Sequence, residues 1–380
     1  MSEPLKVDPL PESGTWRMAG GNAARTGRSP DGPTGSIKLG RTLRADGSVK
    51  ASVVFNRAGA AFVADMTGNV ATFAAEGHCL WQKPLPGGIS AAPALDASGE
   101  RLFVGTLRGV VCALSTADGS ELWRVEVKTR SDPRILSDVL YLDGNDSVIL
   151  SSWGGRFVRL DARTGGPRGS WDAGISPRSA AAADRGGNVF FLRAVWDQGV
   201  ELVRVSPAGE EAVLHREPQS PRGANRTVVS AAPVLDAERS QVCFITNRDR
   251  DAVLQAWSGK TGAIAWRREL PSAVAATPAL DDQGRLLVAD LAGTVRCLDG
   301  DGNPVWEYGT GCEYLLAGAV CSDASAAWIG DPWGRLHRIG SDGRGEVVDQ
   351  AKRSIETQPS FAPDGRLVVP GTSGEVRVFG

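Results

Sequence analysis

No stretch of this chain approaches the roughly 18 consecutive apolar residues that a membrane-spanning helix requires. Long apolar runs at helical spacing are missing too, while 47 glycines and 22 prolines favour turns over helices. Histidine is reduced to His78, His215 and His337. None has a cysteine or carboxylate at ligand spacing, so no metal site is expected. The six cysteines, Cys79, Cys112, Cys243, Cys297, Cys312 and Cys321, include no C-x-x-C and no adjacent pair. Cys112 and Cys297 are read as equivalent positions of two distant repeats, and all six as buried free thiols. "GGNAARTG", Gly20 to Gly27, is rich in glycine but has neither the spacing nor the lysine of a phosphate-binding loop. No G-x-S-x-G nucleophile turn occurs. A formal net charge of -2 excludes a surface built throughout for nucleic acid. The opening "MSEPLKVDPLPESG" has no basic segment followed by an apolar one, so a cytoplasmic chain without a membrane partner is expected.

What the sequence does contain is repetition. "SAAPALDASGERLFVGTLRGVVCALSTADGSELWRVEV" runs from Ser90 to Val127, and "AATPALDDQGRLLVADLAGTVRCLDGDGNPVWEYGTG" begins at Ala275. Each copy holds four short β-rich stretches separated by turns with Gly or Asp where positive φ is needed. A period near 40 residues with four antiparallel strands per unit predicts propeller blades.

The tryptophans count the blades. Trp81, Trp123, Trp171, Trp266 and Trp306 each follow a Gly-containing turn early in a fourth strand. Two further units keep the frame without the tryptophan, "SPAGEEAVLH" ending at His215 and "GSDGRGEVV" ending at Val348. The last, "TQPSFAPDGRLVVPGTSGEVRVFG", stops after its third strand. "SIKLGRTLRA", Ser36 to Ala45, is the expected donor of the missing strand, closing the ring and removing its free edges. The reading is all-β: one eight-bladed propeller over 36–380 behind a leader of 1–35. Blades fall near 51–87, 90–128, 131–174, 175–218, 228–270, 273–311, 312–350 and 354–380.

The phrases "STADGSELW", "LDARTGGPRGSW" and "SGKTGAIAW" resemble the turn-to-tryptophan signature of the pyrroloquinoline-quinone-type (PQQ-like) β-propeller repeat family. "TWRMAGGNAARTGRSP", Thr15 to Pro30, resembles the leader that precedes the first blade in that family. The resemblance covers essentially the whole chain and implies the propeller fold. It does not imply one activity, because the family includes quinone-dependent dehydrogenases, assembly scaffolds and proteins of no assigned role. Its dehydrogenases hold calcium in an acidic and amide cluster, and many carry two adjacent cysteines. Neither feature is found here, so no cofactor is expected.

Any chemistry must then lie where the repeats differ. Loops leading into first strands and turns joining second to third strands share one face of a propeller. In the middle blades the leading loops are basic, with Arg130, Arg134, Arg178, Arg222 and Arg226, and Lys352 and Arg353 follow later. Three of the second-to-third turns carry a tryptophan, Trp153, Trp196 and Trp333, where most use small residues. Indoles beside arginines suit a flat or anionic ligand, or an interface hot spot. Glu313, Tyr314, Glu356 and Asp331 are the candidate proton-moving groups, with Asp65 and Asp290 at the same rim. The bland alternative is that these tryptophans pack on neighbouring blades and the arginines are solvated.

Two functions follow. One is a non-catalytic scaffold binding a protein partner across the Arg- and Trp-bearing face. The other is a cofactor-independent enzyme of lyase, hydrolase or cyclase type, or a binder of an anionic or aromatic small molecule, using a pocket at the channel mouth.

Overall fold

The computed structural model describes residues 15–33, 35–129, 131–174, 179–218, 230–323 and 326–380. Its strands form eight sheets, seven of four strands and one of five, which is the eight-bladed propeller the repeat predicts. Blade two shows the construction: an inner strand Ala94–Leu95, then Arg101–Gly105, Val110–Ser115 and an outer strand Glu121–Glu126, paired antiparallel in that order. The inner strands read as continuous apolar runs because neighbouring blades cover both of their faces. The outer strand keeps the alternation of a half-solvated edge.

Pairing between third and outer strands skips one residue in blades one, two, five and six, at Leu80, Leu122, Ala265 and Val305. In these blades the extra residue immediately precedes the tryptophan, and a bulge of this kind re-aims the side chain that follows. Each indole N–H then donates to a carbonyl in the third-to-outer turn of the next blade. Trp81 reaches Thr116 at 2.9 Å, Trp123 reaches Ala162 at 2.9 Å and Trp171 reaches Gly209 at 3.3 Å. Trp266 reaches Gly300 at 2.8 Å and Trp306 reaches Ser341 at 3.1 Å. Gly302 lies beneath the Trp266 ring, where a Cβ would sit 2.5 Å from Cε3. The glycine of one blade's turn is thus the seat for the indole of the blade before, which explains why the sequence repeats both together.

Where the tryptophan is missing, other chemistry holds the seam. Between blades four and five, the buried Glu217 accepts from Arg267 at 2.7 Å, Arg248 at 3.1 Å and Gln255 at 3.2 Å, all on blade five. In the last blade the closing strand, Leu39–Arg44, pairs antiparallel with Glu375–Phe379. Its Arg41 donates to the Ala75 carbonyl of blade one at 2.6 Å, standing in for an indole.

Residues 15–29 enter the channel through the face formed by the first-to-second and third-to-outer turns. Their carbonyls accept from inner strands around the ring. Trp16 takes Phe55 N–H, Arg17 takes Leu95, Ala23 takes Ala183, Ala24 takes Leu235, Thr26 takes Leu280 and Gly27 takes Cys321. Arg28–Ser29 pairs parallel with the inner strand Val320–Ser322, making that sheet five-stranded.

Two cysteine expectations are corrected. Cys79 is exposed, while the other five are buried free thiols. Cys297 lies opposite Trp306 in its sheet, but Ala113 holds that place opposite Trp123, so Cys112 is offset by one residue.

Candidate functional site

The face opposite the leader is stitched by backbone hydrogen bonds in two directions. Within a blade, the second-to-third turn donates to the leading loop, as Met66 N–H to Ser48, Leu107 to Gly88, Trp153 to Arg134 and Leu291 to Ala273. Between blades, the next leading loop donates back, as Ile89 N–H to Asp65, Ile135 to Thr106, Leu315 to Asp290 and Ile355 to Asp331. In the blades where these bonds are described, they tie each turn to its own leading loop and to the next one.

The rim carboxylates serve that scaffold. Asp331 Oδ1 accepts from the N–H groups of Trp333 at 2.9 Å and Arg335 at 2.8 Å. Asp290 does the same for Ala292 and Thr294, and Asp65 for Thr67 and Asn69. Asp331 Oδ2 also takes Arg335 Nε at 2.6 Å and lies 3.1 Å from His337 Nε2, whose Nδ1 is 3.0 Å from the Tyr308 hydroxyl. Burial pushes the Asp331 carboxyl up, but His337, Arg335 and the turn N–H groups outweigh it and hold the group below the usual range. An ionised carboxylate with this many donors closes a turn and fixes the tryptophan in it.

Glu356 accepts from Ser354 Oγ at 3.0 Å and pairs with Lys50 at 3.3 Å. Glu313 and Tyr314 are exposed. Arg134 is paired with Asp132 at 2.6 Å and lies 5.6 Å from the Trp153 ring, which is half-buried. Arg353 is exposed. Trp196 is 72% exposed and Trp333 is 52% exposed, the latter with the Arg335 guanidinium 4.4 Å above its ring. Arg130, Arg178, Arg222 and Arg226 lie outside the described residues.

Sequence reasoning missed the aliphatic members of this face. Leu291 and Leu316 are exposed, as Tyr314 and Trp333 are, and Met66 and Leu107 are half-buried at the turn position that Leu291 occupies. The signal was present in "DMTG", "TLRG", "SWGG" and "DLAG", whose second residue is apolar in four blades. A cavity of about 10 Å³ between blades six and seven, lined by Asp281, Asp282, Arg285 and Ser322, lies on the opposite face. It has room for one water.

An eight-bladed ring of four-stranded, tryptophan-latched blades is the architecture of a PQQ-like propeller. The chain belongs to the family described as outer membrane protein assembly factor BamB, whose sequence profile matches residues 14–189, 66–254 and 247–348. BamB from Moraxella catarrhalis superposes with a TM-score of 0.74 at 18% identity, covering 91% of this chain and 98% of that one. Quinohemoprotein alcohol dehydrogenase from Comamonas testosteroni gives 0.80 at 12% identity over 97% of this chain and 81% of that one. A europium-containing methanol dehydrogenase gives 0.76 at 13% identity over 95% and 90%. Identities this low establish the shared fold alone. No curated protein matches the sequence.

The dehydrogenase neighbours raise the question of a quinone and its metal ion. Among the described residues no three His, Cys, Asp or Glu side chains are grouped to hold a metal, and the rim acids are occupied by their turns. Among the described residues the donor set does not fit such a centre.

Proposed function

We propose that this propeller is a non-catalytic scaffold that binds a protein partner across the face bearing Trp153, Trp196, Trp333, Arg134 and Arg353. The observation that carries the reading is the exposure of Trp196, Leu291, Tyr314, Leu316 and Trp333 in the leading loops and second-to-third turns that share one face. Exposed aromatic and aliphatic groups beside arginines have the composition of an interface hot spot. The family description, which names an assembly factor, supports the same reading, and the Moraxella catarrhalis neighbour bears that family's name. The candidate acids are individually tied into turns or ion pairs, or stand exposed, which supports a surface that holds rather than converts.

Photo-crosslinking amino acids at positions 196 and 333 test this in cells producing the chain, with position 122 on the outer strand as control. A protein adduct of one mass from both face positions and none from position 122 is the expected result. Quenched products at both face positions, with a small-molecule mass found on the purified chain, would replace the scaffold with a ligand-binding pocket.

A further inference from the structure

The leader touches every blade. Besides the six carbonyl contacts already described, Arg17 makes a two-pronged ion pair with Asp143 of blade three, both bonds 2.9 Å. The Trp16 ring meets Phe361 of blade eight edge-on at 5.6 Å. Gly20 N–H donates to Gln358 of blade eight at 3.2 Å. Between Gly20 and Gly27 the segment folds on itself, with Gly27 N–H on the Gly20 carbonyl at 3.0 Å and the Asn22 amide on Thr26 at 2.8 Å.

At the centre stands Arg25, 2% exposed and at φ 60°. Its guanidinium donates to four carbonyls: Ala19 at 2.9 Å, Ala181 at 3.1 Å, and Asp138 and Val139 at 3.3 Å. One side chain thereby joins the leader to blades three and four. A guanidinium is costly to bury, and multiple carbonyl acceptors with a nearby carboxylate are what make it tolerable. Asp138, two residues before the inner strand Leu140–Leu142 of blade three, is that carboxylate. An arginine placed this way is matched to its surroundings in a manner that an ordinary lead-in segment does not need.

The contacts are those of a bound peptide: outward-facing carbonyls met in turn by N–H groups that the inner strands present, and one charged side chain seated at the hub. We propose that the inner-strand ends form a peptide-binding annulus, and that residues 15–29 are its resident ligand, held by contact and independently of the covalent link through residues 30–36. The ligand class is a peptide folded back on itself between two glycines, with a central arginine. Occupancy closes the ring from within, as the closing strand does from without.

The test keeps the full chain. A protease site inserted after Gly35, which is exposed with open space around it, is cut after folding. Gel filtration and native mass spectrometry then ask whether the fragment carrying the leader stays. Retention by the otherwise wild-type protein is expected, with release at least about tenfold faster from an Arg25→Ala protein because charge-assisted hydrogen bonds are lost. Should Arg25→Ala not fold, Arg17→Ser gives the same readout through the Asp143 pair. Immediate loss of the wild-type fragment with an unchanged melting midpoint would overturn the proposal. Equal retention with and without Arg25 or Arg17 would overturn the role of these side chains as anchors.

Discussion

Trp123 is 8% exposed with its N–H on the Ala162 carbonyl, whereas Trp333 stands 52% exposed in a turn. Trp123→Ala should cost about 3–5 kcal/mol in urea unfolding, as large-to-small changes at buried sites do. Trp123→Phe keeps most of the ring and strands one carbonyl, costing about 1–2 kcal/mol. Trp333→Ala should cost no more than about 1 kcal/mol, the stacked Arg335 included. A loss at Trp333 as large as that at Trp123 would make the turn tryptophans structural and remove the basis for partner binding. Gly302→Ala makes the reciprocal test of the indole seat. Its φ is +78° and its new Cβ would meet the Trp266 ring at 2.5 Å, so about 2–3 kcal/mol should be lost. The seat was legible before the structure because tryptophan and glycine recur together. The work of Asp331 was not, because a lone aspartate at a rim reads equally as an acid or as a turn closure until its donors are seen. Arg25 was hidden for another reason: it occurs once, and a pattern read from repeats is blind to single-copy residues.

At the scale of elements, the strand that closes the ring is its most exposed commitment. Leu39–Arg44 comes from one end of the chain and Glu375–Phe379 from the other, and Leu43 opposes Val376 with 5% of its surface accessible. Its recognition from sequence rested on arithmetic: a last repeat one strand short, and an early strand with no partner. The observed strand lies inside the expected Ser36 to Ala45, trimmed at both ends. Leu43→Asp places a carboxylate where no donor is offered, and a buried unpaired charge is among the costliest substitutions. The expected outcome is loss of protection from hydrogen exchange in the Leu367–Pro370 and Glu375–Phe379 strands while Arg101–Gly105 in blade two stays protected. Uniform loss across all blades would show instead that the ring opens only as one cooperative unit.

The whole molecule is a ring of seams that are not equivalent. Five are latched by an indole, and the seam between blades four and five by the clamp on Glu217. Burial pushes the Glu217 carboxyl up, yet His215 at 3.7 Å and the guanidinium groups of Arg267 and Arg248 more than reverse this and bring it down to about 2. A carboxylate whose folded value lies below its unfolded one stabilises the fold fully above the unfolded value, and that stability drains away as pH falls towards the folded one. The window therefore runs from about 4.5 down to about 2, and up to about 3 kcal/mol of stability is at stake across it. An indole latch has no such dependence. On lowering pH from 6 to 3, protection from hydrogen exchange should fall first in Glu211–Glu217 and Ala263–Leu270, the outer strands flanking this seam, and later in Glu121–Glu126. Glu217→Gln should be less stable at neutral pH, because Arg248 and Arg267 lose their buried counter-charge and keep only the exposed Glu269, and the response of its seam to acid should shrink. Simultaneous loss at all seams in the wild-type chain would mean that latch chemistry does not decide where the ring opens.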